Sequence, residues 1–145
     1  MAIAQAMCTS FKKALLDGEM DFSSNTGQSY KIALYTSSAS LDAATAAYTT
    51  SGEVSASGTN YTAGGKALTI STVPTTSGTT AYLSFASVTW GTSTITARGA
   101  LIYQVGGSTP AVAVLDFGSD KGSSSGDFQI TFPTANSSSA IIRIA

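Results

Sequence analysis

This sequence predicts an all-β fold, an antiparallel β-sandwich or jelly roll led by one short helix, and three observations predict it. After Gly18 the apolar residues stop recurring at helical spacing and begin to alternate. The apolar runs are short and are divided by turn-forming clusters such as SSNTG, SGTT, VGGSTP and SDKGSSSG. Several such runs within 145 residues imply one domain, spanning 1–145, in which two sheets pack around a shared core.

The first element is read as a helix over about residues 2–17. Ile3, Met7, Phe11, Ala14 and Leu15 recur at spacings of three and four, with Gln5, Thr9, Lys12 and Lys13 elsewhere, and Gly18 supplies a stop. A helix of that length is marginal alone in water, so its apolar stripe must pack on the sandwich or on another subunit. Strands are expected at Ser29–Thr36, Lys66–Thr72, Thr80–Trp90, Thr94–Val105, Ala111–Phe117, Asp127–Phe132 and Ser139–Ala145. Tyr30, Ile32 and Leu34, and likewise Phe128, Ile130 and Phe132, alternate with other residues, the pattern of strands with one wet face. Between Phe85 and Val88 the parity of the large apolar residues changes, which one extra residue near Ala86 would explain as a bulge. Ala111–Phe117 is apolar on both faces and reads as a central strand, or as one whose outer face a neighbour covers. Within 41–65, a helical turn is expected at Leu41–Tyr48 and a turn at Thr62–Gly65.

Charge separates this chain from ordinary globular domains. Only 10% of it is charged, whereas roughly 25% is usual, and the net charge is −1. Ser and Thr supply the polarity instead, at 44 of 145 residues, and the regularly spaced apolar runs between them argue for a folded chain over a disordered one. With little repulsion between copies, such a surface tolerates close neighbours.

The chemistry available is narrow. Without His and with one Cys, the chain lacks the material for Ser/His triads, Cys/His dyads and most metal sites, so no catalytic, cofactor-binding or metal-binding set is expected. Cys8 reads as a small apolar residue near the helix. Asp116, Asp120 and Asp127 fall near one loop with Lys121, but their spacing matches no cation-loop pattern, and loop solvation is the expectation. Arg98 and Arg143 lie within apolar strands, where a charge needs a partner. Asp116 is the internal candidate, and a contact across a subunit interface is the other. Gly64-Gly65 and Gly106-Gly107 read as turn glycines, since neither precedes a helix in the manner of a phosphate loop. The tyrosines and Trp90 could stack on bases or sugars. Seven basic residues and a pI of about 5.0 argue against nucleic acid, leaving core or interface anchors as the main reading.

Lys12 and Lys13 follow the short apolar opening, the reverse of an export signal, and no window holds 18 uninterrupted apolar residues. A protein made in the cytoplasm and not spanning a membrane is therefore expected. The Asn60-Tyr61-Thr62 and Asn136-Ser137-Ser138 triplets are then chance matches to the glycosylation pattern.

Longer strings add what composition does not. The helix MAIAQAMCTSFKKALLDG, the run YKIALYTSSASLDAATAAYTTSGEV, the glycine pair in NYTAGGKAL, and the series VTWGTSTITARGALIYQ, AVAVLDFGSDKGSSSGDFQITFP and AIIRIA together resemble a family of small virion structural proteins of tailed bacteriophages. The resemblance runs nearly end to end. It implies a capsid decoration, or cement, protein with a jelly-roll-like body on the outer surface of the virion, whose partners are the major capsid protein and copies of itself, and it carries no catalytic residue across. A homotrimer is the expected assembly, because an icosahedral shell offers many local threefold positions. Ile3, Met7, Phe11, Leu15, Arg98 and Arg143 are the expected interface residues. The alternative is a tail, fibre or host-adhesion component that binds a cell-surface glycan through exposed Tyr and Trp.

Overall fold

In the computed structural model, which describes residues 2–23 and 28–145, the alternating part of the chain folds into an antiparallel β-sandwich with one short helix near its N-terminus. The turn cluster expected at 23–27 lies mostly outside the described residues. In chain order the elements are β1 (Ala6–Met7), α1 (Thr9–Asp17), β2 (Tyr30–Tyr35), β3 (Lys66–Leu68), β4 (Ile70–Ser77), β5 (Thr80–Phe85), β6 (Val88–Ser93), β7 (Thr96–Gln104), β8 (Ala111–Gly122), β9 (Gly126–Ile130) and β10 (Ile142–Ile144).

One layer is the five-stranded sheet β1-β8-β7-β2-β3. The other combines β10-β5-β4 with the pair β6-β9. Their apolar faces share one core, to which Ile32, Leu34, Ile102 and Val112 come from the first layer and Ile70, Leu83, Phe85, Trp90 and Phe128 from the second. The alternation of Phe128, Ile130 and Phe132 with Gln129 and Thr131 is realised, the first three buried and the last two exposed.

Two expected strands each divide in two. Residues 66–77 pair first with β2 and then with β5, and 80–93 pair first with β4 and β10 and then with β9. The parity change between Phe85 and Val88 is thus a corner at which the chain passes between strand partners, not a bulge within one ladder. Such corners keep large side chains pointing inward while the strand direction changes. The Ala86 N–H donates to Thr69 O at 2.9 Å, tying the two corners together.

The helix is shorter than its stripe suggested. It begins at Thr9, and residues before it are extended: Ala6 and Met7 pair with Val114 and Ala113, and Ile3 bridges to Leu41. A spacing of four residues fits both the strand period and the helix period, so Ile3 and Met7 could not distinguish them. The edge of β8 decides, because its backbone groups need partners and helical propensity, favourable as it is for Ala, Gln and Met, yields to that pairing. Gly18 ends α1 as expected, at φ +71°, with its N–H reaching Leu15 O and the Glu19 N–H reaching Ala14 O.

β2 was expected to have a wet face and does not. Ala33, Tyr35, Leu101, Tyr103, Ala111 and Val114 form a second apolar cluster on the outer side of the five-stranded sheet. It is covered by Ile3, Cys8, Ala39, Leu41 and Tyr48, from the N-terminal segment and the long connection after β2. β8 lies second in its sheet, between the short edge strand β1 and the middle strand β7, and is buried on both faces from Ala111 to Leu115 because the chain itself covers the outer one. At its start Ala111 and Ala113 oppose Tyr103 and Ile102, leaving Val112 as an extra residue that turns into the core. Gly99 is required beneath this cover, since a Cβ there would lie 2.5 Å from Leu115 O and 2.9 Å from the Ile3 side chain. The Leu41–Tyr48 stretch contains a turn, with Thr45 N–H to Asp42 O at 3.0 Å, rather than a helical segment.

Candidate functional site

Among the described residues no cluster of His, Cys, Asp and Glu could hold a metal ion. The acidic residues near the β8 end are engaged separately. Asp120 accepts from Arg98 Nε at 2.9 Å, and Asp116 accepts from the Gly118 N–H at 2.8 Å. The expected Arg98–Asp116 pair is thereby corrected. β8 runs on to Gly122, beyond its apolar part, and a register shift against β7 sets Asp120 opposite Arg98. This pair is half exposed and contributes at most about 1 kcal/mol. Arg143 is not buried either; it is exposed and donates to Ser137 O at 3.0 Å.

A polar hub that the sequence did not announce lies under the long connection after β2. Glu53 accepts from the Tyr48 hydroxyl at 2.7 Å, the Tyr61 hydroxyl at 2.6 Å and the Gly64 N–H at 2.7 Å. Tyr61 Oη in turn accepts from the Leu34 N–H at 3.0 Å, and the Tyr103 hydroxyl donates to Gly64 O at 2.6 Å. Burial, followed by the hydrogen bond to the Glu53 carboxylate, holds the Tyr48 and Tyr61 hydroxyls well above the ordinary phenol range. With three donors on it, this carboxylate fastens the connection to the sheet. The backbone bridge between Tyr35 and Glu53, flanked by hydrogen bonds from the Val54 N–H to Leu34 O and from the Thr36 N–H to Gly52 O, brings this connection to β2, and no spacing in the sequence encodes it.

The aromatic residues point inward. Trp90, Tyr30, Tyr35, Tyr61 and Tyr103 are buried, and Tyr48 and Tyr82 are half-buried. Trp90 packs edge-on against Phe128 with centroids 6.1 Å apart, and Tyr48 stacks on Tyr103 at 4.7 Å. No exposed stacking platform of the kind a sugar ring needs is formed by these residues. Cys8 is fully buried, and burial pushes its thiol up to about 11, as expected of a packing residue rather than a nucleophile. The two Asn triplets are structural: the Asn60 amide donates to Gly91 O at 2.7 Å, and Asn136 Oδ1 accepts from the Ser138 and Ser139 N–H groups at 2.8 Å.

Beside α1 the structure leaves an apolar surface. α1 buries Phe11 and Ala14 in the main core, where Phe11 meets Phe22 edge-on at 5.9 Å. Phe22 stacks on Tyr30 at 4.2 Å, so the helix is anchored through an aromatic series. Beside it runs a groove of about 510 Å³ whose walls include Leu15, Met20, Leu83, Ile142 and Ile144. A second apolar depression of about 420 Å³ adjoins it, with Met7, Leu16 and Ile144 in its wall and Lys12 and Arg143 at its rim. Leu16 is 90% exposed and Ile144 52%. Of the expected interface residues, the structure brings Met7, Phe11, Leu15 and Arg143 to this face, with Phe11 turned into its own core. Ile3 is part of the cover on the outer side of the five-stranded sheet, and Arg98 lies on β7. Leu16 and Ile144, which are not among the expected interface residues, are its most exposed apolar members; the sequence signal for Leu16 is an apolar residue beside the helical stripe, on its polar side. No helix among the described residues is long and apolar enough to cross a membrane. In comparisons with protein families, with curated proteins and with solved structures, nothing matches the chain.

Proposed function

We propose that this protein is a non-enzymatic structural component of a tailed-phage virion, a decoration or cement protein that binds the outer surface of the major capsid shell and stabilises it. The observation that carries the reading is a charge-poor β-sandwich whose Trp and most of whose Tyr side chains are taken up by packing, while an apolar face on α1 and β10 is left on the surface. Such a molecule works through contact area rather than through a reactive group. The likeness of its strings to the virion family supplies the partner. Binding as a homo-oligomer, with three copies the number favoured by threefold shell positions, would multiply a weak contact per copy through avidity.

The test uses purified capsids with and without the protein. Capsids lacking it should disassemble at lower temperature or lower denaturant concentration, and added protein should co-sediment with them and restore the difference. Full stability without it, together with no co-sedimentation, overturns the reading. Immunolabelling of tails rather than heads would replace it by a tail or fibre component.

A further inference from the structure

We infer that the exposed face of α1 is a self-association surface on which a second copy of this chain docks with its own α1 antiparallel. The inference rests on the self-association contained in the reading above, and shell binding is measured separately, so that failure of one is distinguishable from failure of the other.

Charge placement identifies the occupant. The chain has 7 basic and 8 acidic residues in all, yet three of each lie on or beside this one short helix. Lys12 and Arg143 line the second depression, with Lys13 next to Lys12 on the helix, and Asp17, Glu19 and Asp21 follow toward and beyond the helix C-terminus, Asp21 lining the groove. Leu16 stands between the two groups on the outward side, with Leu15 half-buried beneath it. A partner of a single charge sign would be repelled at one end, and an anionic surface would meet the acidic half. A second copy turned end for end presents Lys12 to Glu19 and Glu19 to Lys12, with Leu16 meeting its counterpart near the twofold axis.

The helix itself supplies an independent reason. Its first turn carries no acidic residue and its last turn no basic one. Asp17 and Glu19 therefore stand at the negative end of the helix dipole, where carboxylates are unfavourable. Within the subunit Asp17 is paired with Lys13, whereas Glu19 makes no side-chain ion pair among the described residues. An antiparallel neighbour brings Lys12 and the positive end of its own dipole to that position. The pairing is isologous and closes on itself, so it can join two shell-bound oligomers or two free copies.

The experiment is light scattering or sedimentation on the purified full chain at micromolar concentration. The native mass should be at least double that of Leu16→Glu, which weakens association by about thirtyfold or more without touching the core. Lys12→Glu alone should weaken it by about tenfold, and Lys12→Glu combined with Glu19→Lys should restore it, since the swapped charges again meet opposites. Equal masses for native protein and Leu16→Glu, whether monomeric or assembled, overturn the inference. So does a double variant that stays as weak as Lys12→Glu.

Discussion

At the scale of single residues, stability is concentrated where a side chain completes something the backbone cannot. Phe11 is 1% exposed and is the contact through which α1 holds on to Phe22 and the core. Phe11→Ala should cost about 3–5 kcal/mol in a urea titration, and a loss below about 0.5 kcal/mol would mean that the helix packs elsewhere. Glu53 is the second such residue. Glu53→Ala leaves two tyrosine hydroxyls and the Gly64 N–H without their acceptor and should cost about 2–3 kcal/mol. Glu53→Gln, which keeps one acceptor oxygen, should cost less. Equal stability of the two variants with the native protein would show that the hub contributes nothing. The Arg98–Asp120 pair makes the contrast, since Arg98→Ala removes a half-exposed interaction of small net value.

At the scale of elements, corners and close approaches set the architecture. β3 can lie against β2 only because Gly65 enters it with φ +81° and no side chain, for a Cβ there would be 1.8 Å from Ile32 O. Gly65→Ala should therefore destabilise the protein by at least about 2 kcal/mol, with the loss centred on β2, β3 and the Glu53 hub. Hydrogen exchange reads this directly: the Leu34 N–H, which donates to Tyr61, should lose protection first. Protection at Leu34 unchanged in the variant would contradict the account. The nine residues of α1 show the opposite balance, an element too short to persist alone and held by tertiary contact.

At the scale of the whole molecule, burial of weak acids ties stability to pH. Cys8 has its thiol raised from 9.0 to about 11, and Tyr30, Tyr35, Tyr48, Tyr61 and Tyr103 are all raised by burial. The folded state holds these protons more tightly than the unfolded chain does. Stability from this source is thus complete below pH 9.0, and it falls as pH rises from 9.0 through about 11, first for Cys8 and then for the tyrosines. Urea midpoints should be level near neutrality and decline above pH 9.0, with Cys8→Ala reducing the early part of the decline. A midpoint unchanged up to about pH 11 would contradict it. By itself the sequence determined the all-β class, the turns at Gly18, Gly65 and Gly78, the inward alternation of Phe128, Ile130 and Phe132, and the doubly buried β8. Each of these depends on local periodicity or on a backbone conformation that a particular residue permits. Only the tertiary structure decided where α1 begins, which strands change partners, what covers the outer face of the five-stranded sheet, and how Glu53 gathers its donors. Those outcomes depend on pairing between segments far apart in the chain, and a residue's neighbours in sequence carry no record of which distant backbone will satisfy it.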